Sequence, residues 1–359
     1  MKTAMSKPEL AARQIAEPGE IWLLIDSLRF GGIETHVREL ASGLVRFNQP
    51  VRVVFLRRYS EPQLLEQSLH ELGISCSFVS EFACGEQQQG RNLLFDLYRA
   101  VRCYQPKVLH AHGYKASIYA RLVKLLTGTH QISTYHAGET PRGKVWLYDW
   151  LDRYTSRMSN HAISVSQAIA AKLPPGSITL NNFISQATQS SLTGEQIAFI
   201  GRLSHEKAPE RFVALAKQFP RHRFHLYGDG PLYQEIKNSA PDNLTLHGHI
   251  SDMQPHWPDI ALVIIPSRFE GLPMVSLEAM GRGIPVLATR VGALDTLIES
   301  EISGWIADNE QDLVTGIEQW QQLSQQQRHT IGSRARHTIN ESYTDQAVIP
   351  QLLNLYQSR

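Results

Sequence analysis

Short apolar, β-branched runs alternate with helical patterns along this chain, stop at one polar stretch, and then alternate again. Such alternation is the mark of βα units and parallel sheets. Ile21 to Asp26 is the first run; it ends in Ser27 to Gly32, after which Glu34 to Phe47 sets Val37, Leu40, Leu44 and Val45 at helical spacing. Val51 to Leu56, Val108 to His112 and Ile132 to His136 read as further strands, with Arg91 to Tyr104 and Ala116 to Leu126 as helices between them. From Asn181 to Gln196 the residues are rich in Ser, Thr, Gln and Asn and lack periodicity, as a linker does. A second series follows, with strands at Ile197 to Ile200, Arg223 to Tyr227, Leu244 to His247, Leu262 to Pro266 and Pro285 to Thr289. Its helices are Ala208 to Gln218, Leu232 to Ser239, Met274 to Arg282 and Leu313 to Leu323. The expected fold class is α/β, two Rossmann-like doubly wound domains facing across a cleft. Ligands of such sheets bind beyond the carboxyl ends of the strands, so the cleft is where chemistry is sought.

A length of 359 residues allows two domains, each with its own core. With 42% hydrophobic and 19% charged residues the chain is of the globular class, not the disordered or fibrous one. Cys76, Cys84 and Cys103 are odd in number, too sparse for a disulfide framework and without Cys-x-x-Cys spacing, which suits a reducing cytoplasm. Residues 1–20 are polar and read as a flexible leader, lacking the apolar stretch of a secretion signal. The longest apolar runs, such as Ala261 to Pro266, fall far short of the roughly 20 residues that cross a bilayer. The net charge of +1 hides an asymmetry: residues 1–182 hold 21 Lys/Arg and 15 Asp/Glu, a net +6, and the remainder is net −5. A basic half could face an acidic acceptor or an anionic membrane, though so small an excess also reads as ordinary solvated surface. No nucleic-acid partner is expected.

The most informative stretch runs from Pro266 through Glu270, Gly271-Leu-Pro-Met-Val275 and Glu278 to Val286. It is a buried strand, a Gly/Pro loop and a helix whose first backbone N–H groups can meet phosphate or sugar oxygens. Taken alone, Glu270 would be a charge at a helix N-terminus and Glu278 a surface residue. The segment, however, resembles the Glu-x7-Glu region of the retaining glycosyltransferases of group 1, also called family 4, which have the GT-B fold. The resemblance extends to Phe199-Ile-Gly-Arg-Leu-Ser-His-Glu-Lys207, Tyr227-Gly-Asp-Gly-Pro231, Gly248-His-Ile250 and Val291-Gly-Ala-Leu294. In the first half it takes in Phe30-Gly-Gly-Ile-Glu-Thr-His36, His110-Ala-His112 and Thr134-Tyr-His136. These matches keep their order from about Ile21 to Asp308.

The resemblance implies an N-terminal acceptor domain over 21–184, a linker over 185–196 and a nucleotide-sugar domain over 197–344, with a last helix at about 345–359 packing back on the first. It implies a hexosyltransferase that moves sugar from a UDP- or GDP-type donor to a glycan or lipid-linked acceptor, in polysaccharide or lipopolysaccharide assembly. Arg202 and Lys207 would hold the diphosphate, because fixed cations aimed at a departing anion lower the barrier and a guanidinium fork plus an ammonium suit two phosphates. His136 would lie by the donor sugar and Glu270 would orient its hydroxyls. Glu278 would accept from both ribose hydroxyls. Gly31 and Gly32 would let the backbone approach the diphosphate, with Gly271, Leu272, Pro273, Met274 and Val275 adding backbone contacts and His249 and Ile250 edging the base. Two departures stand out: Asn181-Asn182 replaces a usual Asn-Gly, where Asn can take the left-handed turn, and Ala208-Pro209 replaces a usual Gly-x.

No cofactor is expected. The chain lacks an Asp-x-Asp, the nearest approach being Asp149-Trp-Leu-Asp152, so the phosphates are expected to be held without a metal. His110 and His112 alternate on a strand as two zinc ligands might, with no third ligand of matching spacing. A non-catalytic nucleotide-sugar or glycan-binding subunit of the same fold is the alternative function. No Gly-x-Gly-x-x-Gly supports a nicotinamide enzyme, and a phosphorylase-like enzyme would need a pyridoxal phosphate lysine. Tyr114 to Thr127 sets Lys115, Arg121 and Lys124 on a helix with Ile118, Leu122, Leu125 and Leu126. It reads as an amphipathic helix on the first sheet, or as a peripheral contact with the cytoplasmic membrane face.

Overall fold

The computed structural model describes residues 16–27, 31–60, 63–82, 92–136, 144–185 and 194–358. Most of the leader, Phe30, Cys84, residues 137–143 and most of the linker lie outside the described residues.

The first domain is a parallel sheet of β1 (Ile21–Ile25), β2 (Val51–Phe55), β3 (Ser75–Phe78), β4 (Val108–His112), β5 (His130–Tyr135), β6 (His161–Ser164) and β7 (Ile178–Thr179). Its order is β3-β2-β1-β4-β5-β6-β7. Helices α1 (Gly32–Arg46), α2 (Leu64–Glu71), α3 (Leu93–Tyr104), α4 (Tyr114–Thr127), α5 (Lys144–Tyr154) and α6 (Gln167–Ala170) connect the strands. β1 is apolar and buried at every position, as a central parallel strand covered on both faces must be. The sequence missed β3, β6 and β7, which are two to four residues long, lie toward the sheet's two edges and carry Ser or Thr where an apolar run was sought.

The second domain contains β8 (Gln196–Ile200), β9 (Phe224–Tyr227), β10 (Leu244–Gly248), β11 (Ile260–Ile265), β12 (Val286–Thr289) and β13 (Gly304–Ala307), in the order β10-β9-β8-β11-β12-β13. Its helices are α7 (Pro209–Gln218), α8 (Tyr233–Ser239), α9 (Met274–Gly281), α10 (Leu294–Leu297), α11 (Glu310–Gln322) and α12 (Gln325–Ser342). The closing helix α13 (Asp345–Gln357) crosses back. Its Val348, Ile349, Leu352 and Tyr356 join Leu40 and Leu44 of α1 in the first domain's core, and Arg46 Nε bonds Asp345 Oδ2 at 2.6 Å. The chain passes between domains at two adjacent points: Ile184 N donates to Tyr343 O and Asp345 N to Ile184 O.

Each sheet reverses its strand order once, between β1 and β4 and between β8 and β11. Such reversals open a crevice at the carboxyl ends of the strands. The segments leaving those ends are Gly31-Gly32 and His112 in the first domain, and Arg202 to Lys207 and Pro266 to Pro273 in the second.

Candidate active site

The loop after β8 and the loop after β11 are zipped together. Arg268 N donates to Glu206 O at 2.7 Å, and Lys207 Nζ reaches Glu270 Oε1 and Oε2 at 2.6 and 2.7 Å. Glu270 also accepts from Ser267 Oγ at 2.7 Å and is 7% exposed against 31% for Lys207. The two residues assigned to phosphate and sugar therefore form one ion pair at the rim. Arg202 is exposed, five residues before Lys207; its charge helps, after the Ser204 hydroxyl, to hold the Glu206 carboxyl below its ordinary range.

A second turn locks this loop from behind. Gly228 lies at φ +150°, and a Cβ there would stand inside the carbonyl of Gly201, so only glycine fits. Leu203 N donates to Asp229 O, and Gly228 N to Gly248 O, which carries the contact on to exposed His249 and to Ile250 at the edge of the second core. Ala208 sits at φ 51°, ψ 52°, a left-handed position that costs a residue with a Cβ about 1–2 kcal/mol and accounts for the glycine usual there in the resembling family. Pro209 then opens α7.

Gly271 is where the domains touch. A Cβ on it would lie 2.5 Å from His136 O and 3.0 Å from Ile169 Cδ1. Beside it, buried Asn182 donates from Nδ2 to Leu272 O at 2.7 Å. The expectation of a left-handed turn at Asn181-Asn182 is corrected: neither residue has a positive φ, and Asn182 serves instead as a hydrogen bond between domains. Local turn statistics cannot reveal a partner 90 residues away. No side chain caps α9, so after Leu272 and Pro273 the first N–H groups at Met274 and Val275 are open to an anion.

Glu278 is half-buried on α9. Burial pushes it up to about 7, against the pull of Arg38 and Arg282. Arg38 comes from α1, so the first domain reaches the ribose end of the assigned site, a contribution the sequence did not reveal. Gly31 and Gly32 are both exposed. Gly31 is extended, as any residue could be, and nothing lies within 4 Å of a Cβ on Gly32. Neither glycine is demanded by the protein's own packing.

His136 forms part of a cluster of imidazoles. Its Nε2 lies 3.2 Å from His112 Nδ1, and its ring centroid is 4.6 Å from that of His36 on α1. Burial pushes all of them down, His36 to about 4, His110 to about 3 and His112 and His136 well below their ordinary value. They are neutral at pH 7. Among the described residues, His36 Nδ1 and His112 Nε2 are buried without a hydrogen-bond partner. No third ligand among those residues joins the pair His110 and His112; a different set converges, with His36, His112 and His136 offering nitrogens within 4.8 Å of one another. His110 is not among them, because Tyr356 Oη and Thr134 Oγ1 occupy its two nitrogens, each at 2.7 Å. Strand spacing could not foresee that α1 and the end of β5 supply the other two.

Neither aspartate of Asp149-Trp-Leu-Asp152 is free, since Asp149 pairs with Arg153 and Asp152 with Arg121. Arg121 is thereby buried, unlike a cation on the polar face of an amphipathic helix.

Two family models match the chain, one for group 1 glycosyl transferases over residues 194–322 and one for glycosyltransferase family 4 over residues 30–175. The chain belongs to this family of glycosyltransferases. An O-antigen biosynthesis glycosyltransferase of Escherichia coli, WbnH, is 27% identical over 236 residues, 61% of this chain and 68% of that one. A galactosyltransferase of Escherichia coli named for UDP-Gal and α-D-GlcNAc-diphosphoundecaprenol is 22% identical over 60% of this chain and 66% of its own length. The fold is GT-B: Anabaena HepE, solved with UDP and glucose, superposes with a TM-score of 0.80 at 18% identity, covering 95% of this chain and all of that one. A variant of Staphylococcus aureus TarM, solved with UDP among its ligands, superposes at 0.78 with 14% identity, over 95% and 100%.

Proposed function

We propose that this glycosyltransferase moves a hexose-type sugar, with retention of configuration, from a UDP-sugar to a glycan or lipid-linked acceptor in the assembly of cell-envelope polysaccharide or lipopolysaccharide. The observation that carries the reading is the contact of Gly271 with His136, which puts the Glu270–Glu278 segment of one domain against the imidazole cluster of the other. UDP is favoured over GDP by the relative named for UDP-Gal and by the neighbours solved with UDP. The same names support an envelope glycan and a diphospholipid acceptor.

In this reading Arg202 and Lys207 neutralise the charge that develops on the leaving diphosphate, aided by the open start of α9. Lys207 is held in place by Glu270, whose carboxylate also orients the sugar hydroxyls. Glu278 binds the ribose hydroxyls, which donate hydrogen bonds to its half-buried carboxylate. His136, neutral and tethered through Nε2 to His112, lies by the reacting carbon. Retention follows if the leaving phosphate oxygen takes the acceptor proton on the face of attack, so that no carboxylate nucleophile is required. Neither a divalent ion nor a cofactor enters this scheme. The work is placed in the cytoplasm, at the membrane face.

The test is a panel of UDP- and GDP-sugars given to the purified protein with undecaprenyl-diphosphate-linked acceptors. Release of UDP with transfer, and an α-anomeric product by NMR from an α-linked donor, is the expected result. Donor binding without release or transfer would favour the non-catalytic subunit instead.

A further inference from the structure

The surface of α5 is inverted. Asp152 of α5 points inward to a buried ion pair with Arg121 and accepts from Tyr135 Oη, while Asp149 pairs with Arg153 along the same side. Trp146, Leu147, Trp150, Leu151 and Tyr154 follow at i, i+1, i+4, i+5 and i+8 and stand 36–68% exposed. Trp150 and Tyr154 stack on one another in the open, at 5.3 Å and 8°. Leu122, Leu125 and Leu126 of adjoining α4 are exposed too. With Tyr148, nine of the fourteen exposed large apolar residues among those described fall on these two helices, so this is one patch and not scatter. A packed amphipathic helix does the reverse, turning its apolar stripe to the core.

We propose that this face of α4 and α5 seats the enzyme in the headgroup region of an anionic bilayer. Trp and Tyr with leucines, on a helix lying flat, suit the boundary between water and acyl chains. The charge fits the same partner: α4, α5 and the turn Thr155–Met158 hold six Lys/Arg against two Asp, and a net positive charge remains after Arg121, Arg153 and Lys115 pair with Asp152, Asp149 and Asp26. Arg157 is exposed just beyond α5, and Lys124 bonds Met158 O beside the leucines. No helix among the described residues is long and apolar enough to span a membrane, so the contact is peripheral. α4 starts two residues after His112, and Tyr135 at the end of β5 touches Asp152; the patch thus borders the cleft. The inference rests on the reading above only for its purpose, presenting a lipid-linked acceptor.

The experiment is co-sedimentation of the full chain with vesicles of phosphatidylcholine alone or with 30% phosphatidylglycerol, alongside tryptophan fluorescence. The expected outcome is binding to the anionic vesicles with a blue shift, weakened by salt and lowered about tenfold or more by Trp150→Glu. Leu72→Glu, on another exposed site, should bind as the parent does. Trp150→Glu should keep its turnover on a water-soluble acceptor analogue and lose it on the lipid-linked one. Absence of binding at low salt, or binding indifferent to Trp150→Glu, overturns the inference. So does a stable dimer in sedimentation velocity that Trp150→Glu disperses. A parent that binds vesicles yet transfers no sugar would sink the proposed function and leave this inference standing.

Discussion

Lys207 Nζ lies within 2.7 Å of both carboxylate oxygens of Glu270, although 63 residues separate the two. Each holds the other in place, so their losses should not add. Lys207→Ala is expected to lower kcat on the order of 10²- to 10³-fold, the usual cost of one donor at a developing anion. The double variant Lys207→Ala/Glu270→Gln should be little worse than the more damaging single one. Steady-state kinetics with the preferred donor checks this; a double variant showing the product of two full losses would mean independent roles.

Gly271 cannot take a side chain without a shift, because a Cβ there would lie 2.5 Å from the backbone carbonyl oxygen of His136. Gly271→Ala should push the domains apart and cost about 10²-fold in kcat/KM, since a misplacement of an ångström is enough for that. The radius of gyration from solution scattering should rise while urea unfolding changes little. Full activity in this variant would show that the contact is not kept during turnover.

Asn182 Nδ2 donates to Leu272 O in a buried setting. Asn182→Ala should cost about 1–2 kcal/mol, the worth of a buried carbonyl left unpaired. Asn182→Asp should cost more, because it faces one acceptor with another and buries a charge. Denaturant titrations would rank the two; the opposite order would argue against Leu272 O as the partner.

Acid should destabilise the fold through the imidazole cluster. His36 falls from 6.5 to about 4 and His110 from 6.5 to about 3, so the unfolded chain binds more protons in that range. Their contribution is whole above pH 6.5 and is lost as pH drops toward 4 and 3. Glu278 runs the other way: raised from 4.5 to about 7, it adds stability that is whole below pH 4.5 and is lost as pH climbs to about 7. Stability should therefore fall on acidification below pH 6.5, and Glu278→Gln should make that fall steeper while raising stability at pH 8. Unfolding midpoints across pH 4–8 test both signs.

Chelation should leave turnover unchanged, because the proposed scheme stabilises the diphosphate with side-chain cations and a helix start. His36, His112 and His136 nevertheless have the donor set for zinc. Activity lost to EDTA and restored by Zn²⁺, but not restored in His36→Ala, would place an ion there and replace the scheme.

Much of the fold was legible in the residues, since a covered parallel strand must be an apolar run and a surface helix must repeat near 3.6 residues. β1, β2, β4, β8 and β11 announce themselves in this way. β3, β6, β7 and β13 do not, because two to four residues, polar in part in the first three, carry too little pattern to separate from loop. The stretches around Arg202, Lys207, Glu270 and Glu278 were readable because loops at strand ends carry their own chemistry in order.

Sequence alone determined two α/β domains and the set of residues that line their strand ends. Tertiary structure alone decided that Lys207 pairs with Glu270, that Asn182 spans the domains, that His36 joins His112 and His136, and that α5 turns its aromatic face to solvent. The reason is one of range: periodicity and turn preference act between residues a few positions apart, whereas these contacts depend on how distant segments are brought together when two sheets bury their faces.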